Sequence, residues 1–281
     1  MDADEILTPG WRIELQKAYD AKTDKLPRPK HKLVTDFDAN GNPTVDFFAN
    51  RIHPRFGYRW RHPIHEVIIP YEKDHKEDYF EIGLQIHHHP DNSKSRGQYL
   101  PMLEMAVDEE PFNARNLYYY ARELFFHKDY LAAKLVFEEY LKYTKYPGEK
   151  SYALRYLAKC DPHNAEKHLK ESIKTLYCRE GVLALANHYY ITKEWKKCFK
   201  VSLEAMQIKT RLNDFMSEEW AYGPMAYDLA AISAWQLEQW DDALRYGEMA
   251  LEMSPNDERF INNVKFYRSK VDELHLRSDG G

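Results

Sequence analysis

At 281 residues, with 43% apolar and 14% aromatic side chains including 21 Tyr, the chain can bury one large core or two modest ones and is too rich in packing side chains for a disordered polymer. The 40 basic and 45 acidic residues leave a net charge of -5, which gives no general pull toward nucleic acid or an anionic membrane. Cys160, Cys178 and Cys198 are scattered and form no C-x-x-C pair, which argues against a disulfide framework or a zinc knuckle and fits a reducing cytoplasm.

The chain opens on the acidic run Met1-Asp2-Ala3-Asp4-Glu5, unlike the basic-then-apolar start of a signal peptide, and no apolar run approaches the roughly 18 residues of a spanning helix. Thr8-Pro9 then reads as a helix start, a cap followed by Pro in the first turn, with Trp11, Leu15 and Ala18 on one face. After a link at Pro27 and Pro29, residues 31–37 and 44–48 alternate as strands around Asn40-Gly41, a strong hairpin signal. Further short strands are expected at 57–60, 64–69 and 81–87.

From about residue 100 the chain repeats itself. One copy runs through Pro224, Tyr227, Ala230-Ala231, Ala234, Trp240, Ala243, Ala250 and Pro255. A second follows Leu117, Tyr120-Ala121, Leu124, Asp129-Tyr130, Ala133, Phe137 and Pro147, and a looser third follows Val182, Leu185-Ala186, Tyr189, Trp195, Cys198 and Ala205. Small residues stand where paired helices touch and large ones fill the gaps between. Residues 152–176 read as a degenerate copy turning at Cys160-Asp161-Pro162, giving four helix pairs. Residues 207–222 lengthen the third connection, and 257–274 form a terminal helix over the last pair. The pattern resembles tetratricopeptide repeats of about 34 residues. Groove-facing positions are expected at Asn116, Tyr119, Arg122, Asn187 and Tyr190, a mix suited to an extended polar chain.

Three features in the front part accompany the opening Asp-x-Asp: Tyr58-Arg59-Trp60-Arg61-His62-Pro63-Ile64-His65-Glu66, then Ile86-His87-His88-His89, then Ser93-Lys94-Ser95-Arg96. In this order they resemble the second half of a family-2, GT-A type glycosyltransferase domain, of the kind that tetratricopeptide repeats follow. The resemblance implies residues 1–98 as the α/β remnant of a nucleotide-sugar transferase domain that lacks its nucleotide-binding half, and 99–281 as an all-α array, mainly α overall.

It also implies a site. Asp2, Asp4 and one of His87, His88 and His89, with His88 favoured, would hold Mn²⁺ or Mg²⁺. Glu66 would act as general base with His65 orienting it, and Lys94 and Arg96 would steady the departing nucleoside diphosphate. The implied function is inverting, metal-dependent transfer from a nucleotide sugar to a protein, peptide or glycan acceptor, with a second chain as one source of the absent half; nucleic acid and membrane are not expected partners. The alternative is a non-catalytic tetratricopeptide scaffold that binds a partner protein or peptide. A metal hydrolase is disfavoured because no H-E-x-x-H spacing occurs.

Overall fold

The computed structural model describes residues 4–20, 28–72, 77–90, 97, 99–212 and 217–279. These form six strands and eleven α-helices, a mainly helical chain with a small sheet at its front. No helix among the described residues is long and apolar enough to cross a membrane. Contacts divide the chain into two compact units, one ending at Asp129 and one beginning at Tyr130.

In the first unit, β1 (Glu5–Leu7), β2 (Arg28–Phe37), β3 (Pro43–Ala49) and β6 (Tyr79–His88) make a sheet in the order β1-β6-β2-β3. Only the β2–β6 pairing is parallel. The expected hairpin joins β2 to β3. Asp38 organises its turn by accepting from the Asn40 and Asn42 amides, each at 2.8 Å, while Gly41 takes φ 81°. Helix α1 (Trp11–Asp20) lies against β6, and Trp11 and Leu15 cover a core of Leu33, Leu84 and Ile86.

A second, two-stranded sheet pairs β4 (Tyr58–Arg61) with β5 (Val67–Pro70). The strand expected from residue 64 starts only at Val67, because His62 and His65 stand at φ 72° and 52° and left-handed backbone cannot continue a pleat. Sequence reasoning also missed β1, which is too short to show a period. It divides the chain at 98/99, where strands give way to helices. By contact, α2 (Tyr99–Glu109) and α3 (Ala114–Phe126) belong with the front unit, where Arg61 pairs with Glu110 and Arg115 donates to the His65 carbonyl at 2.8 Å.

Two buried bases shape this unit. Arg28, 2% exposed, donates to Glu77 at 2.9 Å, to the Ile52 carbonyl at 3.1 Å and to the Asn50 carbonyl, pinning the start of β2 to the chain after β3. His31 is wholly buried, and neither ring nitrogen has a hydrogen-bond partner. Burial first, and the Arg51 charge second, push its pKa down to about 4, against a smaller opposing pull from Glu5.

The second unit is a helical array: α4 (Tyr130–Tyr143), α5 (Pro147–Cys160), α6 (Ala165–Thr175), α7 (Arg179–Ile191), α8 (Trp195–Gln207), α9 (Met225–Gln236), α10 (Trp240–Met253) and α11 (Glu258–Asp279). The repeat is visible in its turns. After α3, α7 and α9 the chain places Lys128, Lys193 and Glu238 at φ 65°, 59° and 60°. The next amide in each case, on Asp129, Glu194 or Gln239, reaches five residues back to Leu124, Tyr189 or Ala234 at 2.8–3.0 Å. This double-bonded helix ending satisfies carbonyls that the helix leaves open.

The turn after α5 differs, as the Cys160-Asp161-Pro162 signal implies. Asp161 ends the helix and a 3₁₀ turn at Pro162–Asn164 replaces the left-handed residue. Ala133, Cys198 and Ala243 occupy equivalent places four residues into α4, α8 and α10, and all are fully buried. Residues 137, 202 and 247 follow one turn later, as Phe, Ser and Gly. The terminal helix α11 packs on α10.

Two outcomes follow. The neutral His31 imidazole has its folded pKa below that of the unfolded chain, so its contribution is complete above pH 6.5 and falls as pH drops from 6.5 toward 4. The front unit should lose up to about 1.4 kcal/mol per pH unit in that window, and urea midpoints of H31F should show a flatter pH slope there than the wild type. In the array, a Cβ on Gly247 would lie 2.9 Å from Cδ2 of Tyr267, a buried ring packed 5.4 Å from Trp235. G247A should therefore lower stability by roughly 1 kcal/mol despite the better helix propensity of Ala; a raised thermal midpoint would mean that the ring moves freely.

Candidate functional site

A groove of about 610 Å³ opens within the second unit. Its walls are the inner faces of α5 and α7, and they arise from helical spacing. Tyr152, Arg155, Tyr156 and Lys159 stand at i, i+3, i+4 and i+7 on α5, as do Ala184, Asn187, His188 and Ile191 on α7. The long connection between α8 and α9 closes one side with Glu218 and with Trp220 from its 3₁₀ turn, Glu219–Tyr222. The lining thus combines apolar and aromatic surface with a few polar groups, the composition of a ligand-holding cleft.

The polar groups are organised. Arg155, almost wholly buried, pairs with Glu218, and the Tyr152 hydroxyl donates to the other Glu218 oxygen at 3.0 Å. The Tyr152 ring lies 4.3 Å from the guanidinium carbon of Arg155, a cation–π contact. The Glu218 amide donates to Glu180 Oε1 at 3.2 Å, and Arg211 pairs with Glu219, so the connection is held at several points.

Beside the groove, donor atoms of Glu166, His188 and Glu194 lie within 4.8 Å of one another. Ammonium groups already meet both carboxylates there: Lys170 lies 2.8 Å from Glu166, and Lys197 lies 2.6 Å from Glu194 and 3.7 Å from Glu166. The bond from Lys170, then that from the Tyr189 hydroxyl, holds the Glu166 carboxyl down at about 2. This is an ion-pair network joining α6, α7 and α8.

Of the residues nominated from the glycosyltransferase resemblance, Asp4 and His88 come together. Asp4 Oδ2 is 3.5 Å from His88 Nε2, and the Asp4 carbonyl accepts from the His89 amide at 2.9 Å, because β1 pairs with β6. His87 and His89 instead pack on Phe37, at ring distances of 5.2 and 4.8 Å. Glu66 is exposed on the link before β5, and His65 stacks on Tyr119 at 3.9 Å. These two belong to the β4–β5 hairpin region rather than to the sheet that carries Asp4 and His88. Asp2, Lys94 and Arg96 lie outside the described residues.

The groove itself was only partly anticipated. Asn187 lines it. Tyr190 packs on Trp195 instead, and Asn116, in the first unit, is buried with its amide donating to the Ala106 carbonyl at 2.8 Å. Tyr119 and Arg122 also belong to the first unit, in mutual contact. Tyr152, Arg155 and Tyr156 were missed, although their helical spacing was available in the sequence. Glu218 and Trp220 carried no such signal.

No protein-family model matches the sequence, and no curated protein does. Solved structures similar to the chain are tetratricopeptide proteins. MamA from Desulfovibrio magneticus RS-1 is 11% identical, covers 59% of this chain and 89% of its own, and has a TM-score of 0.48. PilF from Pseudomonas aeruginosa is 19% identical over 60% of this chain and 72% of its own, with a TM-score of 0.46. YrrB, described as a TPR protein with an unusual peptide-binding site, is 13% identical over 60% of this chain and 82% of its own, with a TM-score of 0.48.

The solved structures similar to the chain are tetratricopeptide proteins rather than nucleotide-sugar glycosyltransferases, and the expectation of an enzyme is withdrawn. Most of the described chain is helical, three of its helix endings share the same pair of main-chain bonds, and the groove is lined by aromatics, an amide and charged groups.

Proposed function

We propose that the chain is a non-catalytic tetratricopeptide-like scaffold whose groove between α5 and α7 holds an extended segment of a partner protein. The observation that carries this reading is the convergence of two helix faces, each at i, i+3, i+4 and i+7, on one groove closed by the α8–α9 connection. Tyr156, Ile191 and Trp220 offer surface for apolar side chains. The Asn187 carboxamide can both donate to and accept from a peptide backbone, which an extended chain needs at regular intervals. Rigid aromatic anchors beside few, fixed polar groups favour an ordered peptide over a small solute.

A display selection of random peptides on the immobilised full chain tests the reading. Recovered peptides should bind in fluorescence-anisotropy titration, and N187A and W220A should each weaken that binding by about tenfold. Recovery of no peptide, or peptides that bind both variants as tightly as the wild type, sinks the groove as a peptide site.

A further inference from the structure

Arg155 is an arginine kept in an unusual place. It is 6% exposed, in the middle of the groove face of α5. A buried guanidinium must have a counter-charge, and its N–H groups need acceptors. One terminal nitrogen donates to Glu218, but Nε is buried and meets no hydrogen-bond acceptor. The pair is therefore one-pronged, whereas a guanidinium and a carboxylate are strongest as a two-pronged fork.

The two halves of the pair also differ in how they are held. Arg155 and Tyr152 are fixed one turn apart on α5, and their side chains contact each other. Glu218 comes from the irregular connection 63 residues away, and its side chain is 21% exposed against 7% for Arg155. Its backbone is anchored separately, through its amide, which donates a hydrogen bond to Glu180 Oε1. The Glu218 side chain can swing away without loss of that anchor. Arg155 and Tyr152 then form a prebuilt carboxylate receptor, occupied by a carboxylate that meets the guanidinium through one nitrogen only.

Resting on the peptide-scaffold reading, we propose that Glu218 is an intramolecular stand-in for an acidic residue of the partner: an Asp or Glu side chain of the bound segment takes Arg155 and Tyr152 and displaces the Glu218 side chain. A carboxylate that replaces the Glu218 side chain is not held by that backbone, so the two-pronged fork with Arg155 is open to it. Lys159, on the same helix face, adds positive charge along that path. The stand-in keeps the buried arginine paired when no partner is present, and it selects against neutral segments, which cannot replace the charge they would displace.

The test is a display selection of random peptides run on the full chain and on E218Q, with anisotropy titrations of the recovered peptides and of counterparts in which the acidic residue is changed to its amide. E218Q should recover peptides with Asp or Glu at one fixed position and bind them about tenfold more tightly than the wild type. The amide counterparts should bind both alike, and R155K, which keeps charge but not the fork, should lose the preference. E218D, which shortens the tethered side chain, should show a smaller gain and keeps the test readable if E218Q melts early. Recovered peptides with no fixed acid, or equal affinity of acidic peptides for wild type, E218Q and E218D, overturn the stand-in while leaving the scaffold reading intact. Recovery of no peptide by any of these proteins overturns both.

Discussion

The array depends on one local constraint: a helix must end and reverse within three residues without leaving its last carbonyls open. Lys128, Lys193 and Glu238 solve this by entering left-handed backbone, at a cost of about 1 kcal/mol for a residue with a side chain. Two main-chain bonds at each helix end offset that cost. In the two pairs that lie wholly in the second unit, α7–α8 and α9–α10, this turn brings the next helix back against the first. The buried Ala186 and Cys198, and Ala234 and Ala243, then allow close approach.

Where the constraint is relaxed, the groove appears. The α5–α6 pair ends through Asp161 and a 3₁₀ turn rather than a left-handed residue. The α8–α9 connection is long enough to return to α5 and deliver Glu218 to Arg155. The regular α7–α8 pair supplies one wall of the groove, and the irregular α5–α6 pair and the long connection supply the rest. The proposed binding groove thus joins a regular helix face to irregular segments held beside it.

The front unit follows a different rule. Its β-hairpin forms around Asp38 and Gly41, and Arg28 ties β2 to the neighbouring chain through four acceptor atoms, whereas the buried His31 ring nitrogens meet none. The proximity of Asp4 and His88 is a consequence of antiparallel pairing between β1 and β6, a contact across more than 80 residues of chain. The order of the motifs hinted that these two residues share a neighbourhood, but it equally nominated Glu66, which lies by a separate hairpin.

By itself the sequence determined the helical repeat, the hairpin at Asn40-Gly41, the odd turn at Cys160-Asp161-Pro162 and the terminal helix. Each of these is written in periodicity or in local turn chemistry, which acts over a few residues. It did not determine the start of β5, where left-handed histidines override a β-rich run, or the burial of Asn116, whose amide is claimed by the Ala106 carbonyl. Tertiary structure alone decided that Arg155 faces Glu218, that Trp220 closes the groove and that Lys197 sits between Glu166 and Glu194. Those meetings depend on where distant segments are folded back, and a charge on a helix face carries no record of the partner it will meet.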